Sequence, residues 1–269
     1  MVAIIFPSPM QIEIIIPAYN CISTLGRTLD SLVKQSNKNF SVLLIDDGST
    51  QDILSIADIY KSILPIRYIK NEVNVGVGMT RQRGIDETAA DYIAFLDADD
   101  ILLPNAINDW YQEIDKNGPE AIYSPFAYAW NNSCKVVDYF WMCHGKVYKT
   151  SFLRQYDIRE HEQVKCIDDG YLNWQVFDLA STVSLLTKPT YVQIYTKGSI
   201  TCAKDFSKKA LKDTELAKQL AAKQISRFKD NPFDRYEEFY NKVRALIRAE
   251  AENYKKVIRD YKHLVHNFK

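Results

Sequence analysis

The chain has 269 residues, with 34 Lys and Arg against 34 Asp and Glu, 46% hydrophobic and 25% charged residues. This balance excludes a wholly disordered chain, and nine Gly with nine Pro exclude collagen. A formal charge of zero argues against a dedicated nucleic-acid binder, and the length fits one large domain or two small ones. The first 130 residues alternate strand and helix signals. Ile12–Ile16 is an apolar run closed by Pro17, and Ser23–Gln35 carries Leu25, Leu29, Leu32 and Val33 at helical spacing. Ser41–Ile45 is the next apolar run and stops at Asp46-Asp47-Gly48-Ser49. Asp52–Ser62 reads as a helix, capped by Ser49 or Thr50, and Ile66–Ile69 as a strand. Gly78–Ala89 is helical, Tyr92–Leu96 is a strand ending at Asp97, and a further helix opens at Leu103-Pro104. Near-continuous apolar strands separated by helices indicate a parallel sheet covered on both faces. The segment Ala121–Ile200 is mixed and rich in aromatics, and from Phe206 the chain is helical, broken at Asn231-Pro232. Phe239, Val243, Leu246, Ile247, Tyr254, Ile258 and Tyr261 form an apolar stripe along that tail.

Charge divides the chain. From Lys204 onward Lys and Arg outnumber Asp and Glu 17 to 10, so the preceding part is correspondingly acidic. No stretch approaches the ~18 apolar residues of a membrane helix. The apolar start, Met1–Ile16, contains Glu13 and no basic region, which argues against a signal peptide. Five widely spaced cysteines, with no CxxC pair, read as reduced thiols of a cytoplasmic protein. The basic tail allows a weak contact with the inner face of a membrane, although a solvated helical cap packed through its stripe is the favoured reading.

Ligands of open α/β sheets bind at the carboxyl ends of the strands. Three strands here end in polar clusters: Pro17-Ala18-Tyr19-Asn20, Asp46-Asp47-Gly48-Ser49 and Asp97-Ala98-Asp99-Asp100. All three are expected along one edge. Carboxylates at such an edge suit hard divalent cations, Mn²⁺ or Mg²⁺, though a bare Asp-x-Asp is more often a solvated turn. Two consecutive acids at Asp46-Asp47 exceed what a helix cap needs, and one is free to accept a hydrogen bond from a base or ribose. Tyr19 is either a packed turn residue or a stacking platform for a planar base. Asn74-Val75-Gly76 precedes a helix bearing Arg81, an arrangement that suits a phosphate. No GxGxxG and no Gly- and Arg-rich loop follows the first strand, against a dehydrogenase or a nucleotidyltransferase.

Taken together, Ile14–Asn20, Leu44–Ser49, Asn74-Val75-Gly76 with Arg81, and Phe95–Asp100 resemble glycosyltransferase family 2, inverting enzymes of the GT-A fold. The resemblance is specific over about the first 105 residues. It implies an α/β architecture with a mostly parallel central sheet flanked by helices and a C-terminal helical extension. The corresponding boundaries are a catalytic domain at 1–203, with a nucleotide-sugar half at about 1–105 and an acceptor half at about 106–203, and the extension at 204–269. In that family Pro17, Ala18, Tyr19, Asn20 and Asp47 would hold the base. Asp97 would reach the ribose side, Asp99 would bind the metal, and Asn74, Gly76, Arg81 and Ala98 would complete the donor site.

The match continues more weakly through Gly145–Leu153 and Ile158–Glu162 to Ile167-Asp168-Asp169-Gly170-Tyr171-Leu172. Where the family has Glu-Asp this chain has Asp168-Asp169, which makes Asp169 the implied catalytic base. The alternative is that Asp168 and Asp169 merely cap a helix at Tyr171–Ala180; capping by Asp168 is compatible with catalysis by Asp169. The segment Tyr195–Ile200 lacks the His or Arg of many relatives, and Lys197 is left to neutralise a leaving diphosphate. The four histidines, His144, His161, His263 and His266, have no metal-ligand spacing and read as surface or packing residues, with His144 and His161 flanking the presumed acceptor cleft. Trp130, Tyr139, Phe140 and Trp141 are either a sugar platform or packing. The implied reaction moves a sugar from a nucleotide-sugar, by family weight a UDP-sugar, to a hydroxyl of a glycan or lipid-linked acceptor. The alternative is a nucleotide-sugar-binding protein of the same fold without turnover.

Overall fold

A computed structural model of the chain describes residues 10–130, 133–137, 142–195 and 206–225, with 241 and 245. The elements follow in order: β1 (Ile12–Ala18), α1 (Ile22–Val33), β2 (Phe40–Asp46), α2 (Ile53–Tyr60), β3 (Ile66–Lys70), α3 (Val77–Glu87) and β4 (Tyr92–Phe95). Next come β5 (Ile101–Leu102), α4 (Ala106–Asn117), β6 (Ala121–Tyr123), β7 (Phe126–Trp130), β8 (Ser133–Val137), β9 (Val147–Lys149) and α5 (Thr150–Gln155). The last are α6 (Asp168–Leu179), β10 (Val183–Leu185), β11 (Tyr191–Ile194) and α7 (Phe206–Ile225).

Seven strands form one sheet in the order β10-β6-β9-β4-β1-β2-β3. β1 lies parallel to β2 and β4, with Ala18 opposite Asp46 and Ile15 opposite Phe95. Among its described strands only β9 runs antiparallel, between β4 and β6. A second sheet, β5-β11-β7-β8, stands beside the first.

The central strands are mostly apolar because helices cover both faces. Ile12, Ile14 and Ile16 of β1 pack with Leu25, Leu29 and Leu32 of α1 and with Ile107 and Trp110 of α4. Ile15, pointing the other way, joins Leu43, Ile45, Phe95, Ile85, Phe152, Leu172 and Val176. Each fully buried Ile or Leu contributes about 1.5–3 kcal/mol of transfer free energy, which fixes strand register and face. Because β1, β2 and β4 are neighbouring parallel strands, their carboxyl ends share one edge, in line with the sequence pattern.

Two caps differ from expectation. The N-cap of α2 is Asp52, whose side chain accepts from Ser55 N–H at 3.2 Å, rather than Ser49 or Thr50. Those two are engaged by Asn20: its N–H donates to Ser49 Oγ at 3.0 Å, and its Oδ1 accepts from Thr50 N–H at 3.0 Å. At α6 the helix starts three residues before the expected Tyr171, with Ile167 as N-cap and no side-chain cap, so Asp168 does not cap it. α7 docks on α6: Ala217 is buried with Val164 and Tyr171, and Asp213 Oδ2 accepts from Lys165 and Cys166 N–H at 2.8 and 2.9 Å. The break at Asn231-Pro232, the stripe from Phe239 and the expected boundary at 203/204 lie outside the described residues. No described helix is long and apolar enough to cross a membrane.

Candidate active site

The polar strand ends are built on one another. Asp46, fully buried at the end of β2, accepts Ser49 N–H at 2.8 Å and Tyr68 O–H at 2.8 Å, with Lys70 at 3.1 Å. Burial opposes its charge, but these donors outweigh it and hold the carboxyl below the usual range. Asp46 thus shapes the turn. Asp47 holds the next loop: Oδ1 accepts Asn71 Nδ2 at 2.8 Å and Val75 N–H at 2.9 Å, and Oδ2 accepts Gly76 N–H at 2.9 Å. Gly48, at φ +70°, passes so close that a Cβ there would lie 2.6 Å from the Val73 carbonyl carbon. Gly76, at φ +95°, is the N-cap residue of α3.

That helix delivers Arg81, which is 4% exposed. One guanidinium nitrogen donates to Asp97 Oδ1 at 2.7 Å, just beyond β4, and another to Asp168 Oδ2 at 2.5 Å, at the start of α6. Arg81 therefore ties the two acidic segments together. Gly78 permits the approach: a Cβ on it would lie 2.8 Å from Asp168 Cβ. Burial disfavours ionised Asp97, but Arg81 and His144 overcome this and hold its carboxyl well below the usual range. Asp168 goes the other way: burial, with Asp169 adding repulsion, raises it to about 7 despite Arg81.

Asp169, half-buried on the same turn, accepts Gly170 N–H at 2.9 Å and Cys143 N–H at 3.3 Å. The segment Cys143–Lys146 leads into β9, whose pairing of Val147 with Ala94 sets it beside the end of β4. Lys146 is almost wholly buried there, donates to the Met142 carbonyl and lies 4.5 Å from the Tyr123 ring centre. Burial lowers its amine to about 7.

The same segment carries His144, whose packing role is borne out. It is 4% exposed, with Nε2 at 3.2 Å from Asp97 Oδ2 and 3.7 Å from Asp100 Oδ2. Its ring packs against Phe126 and Tyr191. Among the described residues, Asp97, Asp100 and His144 are a group whose ligand atoms all lie within 4.8 Å of one another. Asp100 also accepts Tyr191 O–H at 2.6 Å and Ile194 N–H at 2.7 Å. Burial and the charges of Asp99 and Asp97 push it well above the usual range. Asp99 lies outside that group; its carbonyl accepts from Arg27 at 2.5 Å. Spacing along the chain could not associate His144 with Asp97, because sheet pairing brings them together.

The remaining residues sort by exposure. Pro17, Ala18 and Ala98 have buried side chains, and the Ala18 carbonyl accepts Asp47 N–H at 2.8 Å. Tyr19 is half-exposed and Asn74 exposed at the same edge. Lys197, Tyr139, Phe140, Trp141 and the side chain of Trp130 lie outside the described residues.

A sequence model described as Glycosyl transferase family 2 matches residues 13–164. The chain is 37% identical over 107 residues to an uncharacterized glycosyltransferase of Rickettsia felis, covering 40% of this chain and 18% of that protein. It is 27% identical to the glycosyltransferase GlyA of Streptococcus pneumoniae over 220 residues, 71% of this chain and 31% of the relative. It is 25% identical over 201 residues to the poly(ribitol-phosphate) beta-N-acetylglucosaminyltransferase TarS of Staphylococcus aureus, 68% of this chain and 35% of TarS. The chain thus spans between about a sixth and about a third of the length of these relatives. Among solved structures, residues 1–349 of S. aureus TarS in complex with UDP-GlcNAc align with a TM-score of 0.71 at 22% identity, covering 84% of this chain and 69% of that one. The same protein in complex with UDP aligns with a TM-score of 0.69.

Proposed function

The chain belongs to glycosyltransferase family 2 and has the GT-A fold, and on that premise we propose that it transfers a sugar, with inversion, from a UDP-sugar to a hydroxyl of a glycan or lipid-linked acceptor. The observation that carries this reading is the Arg81 fork, which holds Asp97 and Asp168 on one guanidinium. It sets the strand-end acids of the donor side against the turn that bears Asp169.

Tyr19, Asn20 and Asp47 line the edge where the base would lie, with Asn74 and Gly76 beside it and Asp97 toward the ribose. The donor set of Asp97, Asp100 and His144, with Asp99 on the same loop, fits Mn²⁺ or Mg²⁺: two carboxylates and an imidazole suit such ions. The charge balance fits as well, since Asp100 is buried beside two acids that repel its ionised form. A cation held there would stabilise the negative charge that grows on the departing diphosphate.

Asp169 is the general base. It takes the proton of the acceptor hydroxyl while that oxygen bonds to the sugar C1. The bond from C1 to the diphosphate breaks on the opposite side, and its electron pair leaves with UDP. One displacement inverts the anomeric carbon. A positioned base contributes about 10²–10⁴-fold.

Thermal-shift measurements with UDP-sugars, with and without Mn²⁺, followed by an assay of UDP release, test the reading. A ligand that binds only the native state raises the melting point. The expected result is a metal-dependent rise with UDP release that EDTA stops. No rise with any nucleotide-sugar would contradict it, and binding without release would favour the protein without turnover.

A further inference from the structure

Glu160 is an acid the mechanism above does not use. It is 6% exposed, and neither carboxylate oxygen has a hydrogen-bond partner among the described residues. Its backbone is tied to both helices that the Arg81 fork joins. On the α3 side, Glu160 N–H donates to Gln82 Oε1 at 2.9 Å, one residue from Arg81. On the α6 side, Gln175 grips the preceding residue, accepting Arg159 N–H at 3.2 Å and donating to the Arg159 carbonyl at 2.7 Å. Arg81 in turn has its Nε buried and unpartnered among the described residues, its other two nitrogens being committed to Asp97 and Asp168. An orphaned carboxyl and an orphaned guanidinium N–H are thus both buried, on segments that the Glu160–Gln82 hydrogen bond joins.

We propose that Glu160 is a positioning residue for Asp169, holding it in place through the Arg81–Asp168 pair only while the Glu160 carboxyl is protonated. The proposal rests on the transferase reading above. The groups acting on Glu160 are Arg81 from α3, and Asp168, Asp169 and Tyr171 from α6. Cys143, ahead of β9, also feels its charge, and His161 beside it packs edge-on to Tyr171. Four of these, Asp168, Asp169, Tyr171 and Cys143, are acids or weak acids whose charged forms oppose a further negative charge, and Arg81 is the single strong cation among them. Burial, then Asp168, keeps the Glu160 carboxyl well above its ordinary range despite Arg81. When it does ionise, it competes with Asp168 for Arg81. The first turn of α6, carrying Asp169, is then released from the donor side.

The test is a pH profile of sugar transfer by wild type, Glu160→Gln and Glu160→Leu, with metal and donor saturating. The expected wild-type kcat has an alkaline limb that falls about tenfold per pH unit beyond the Glu160 ionisation. Both variants, which cannot ionise there, lose this limb; either one, if folded, suffices. An identical alkaline limb in the variants overturns the proposal, as does a limb confined to the KM for donor. A wild type that transfers no sugar at any pH refutes the transferase reading itself. In that event donor-independent urea unfolding still tests the buried acid: wild type should lose stability relative to Glu160→Gln as pH rises from about 4.5, the ordinary value of a glutamate carboxyl. Parallel curves would overturn it.

Discussion

Replacing Arg81 with Met removes the guanidinium that joins Asp97 to Asp168 while keeping an unbranched, apolar side chain of similar length. Two carboxylates lose a partner, but unequally. Asp97 is 27% exposed at its side chain and keeps His144 at 3.2 Å, so water and the imidazole compensate much of its loss. Asp168, at 8%, has no such relief. Removing one partner of a buried pair costs about 3–5 kcal/mol, and here most of that falls on Asp168. The cost depends on pH. Asp168 already titrates at about 7 in the wild type, because burial raises it. Losing Arg81 raises it further, so the folded variant binds more protons above pH 7 than the folded wild type. Its stability therefore falls more steeply with pH in that range. Urea unfolding followed by circular dichroism at pH 5.5 and 8.5 measures this. The expected destabilisation is about 3–5 kcal/mol at the higher pH and clearly smaller at the lower. Combining Arg81→Met with Asp168→Leu should recover most of the loss. Equal destabilisation at both pH values, or no recovery in the double variant, would refute this account of the fork.

Asp47→Ala removes an acceptor shared by Asn71, Val75 and Gly76. Each hydrogen bond to a charged group contributes about 1.5–3 kcal/mol, so the 73–76 loop should loosen and donor KM should rise in steady-state kinetics more than kcat falls. Gly78→Ala forces a Cβ to 2.8 Å from Asp168 Cβ. Such overpacking costs about 1–3 kcal/mol, and displacement of α6 should lower kcat with little change in donor KM. His144→Ala deletes one member of the candidate cation group, and a Mn²⁺ titration of activity should shift its midpoint upward by at least about tenfold.

The sheet and its ligand edge are legible in the sequence because period-2 and period-3.6 patterns report burial directly. The run Ile12–Ile16, apolar but for Glu13, reads as a strand covered on both faces, and the two clusters packed on its alternating side chains bear that out. The strand-end acids follow from the same reading. Contacts between distant segments are not legible. Arg81 is recognisable as a polar residue near a phosphate-like turn. Its engagement with Asp168 depends on α3 packing against α6, which no local pattern reveals. His144 escapes sequence reasoning for the same reason, since it reaches Asp97 only through the pairing of β9 with β4. The cap of α2 falls on Asp52 because Asn20, far away in sequence, takes Ser49 and Thr50.

The base assignment is tested most directly by Asp169→Asn, which preserves shape while removing the proton acceptor; its one amide oxygen keeps one of the two hydrogen bonds that Gly170 and Cys143 N–H make to separate carboxylate oxygens. Calorimetric titration with the nucleotide-sugar should give wild-type affinity, while kcat for transfer falls by about 10²–10⁴-fold. Turnover close to wild type would remove Asp169 from the reaction and leave the Arg81 fork with no base to position.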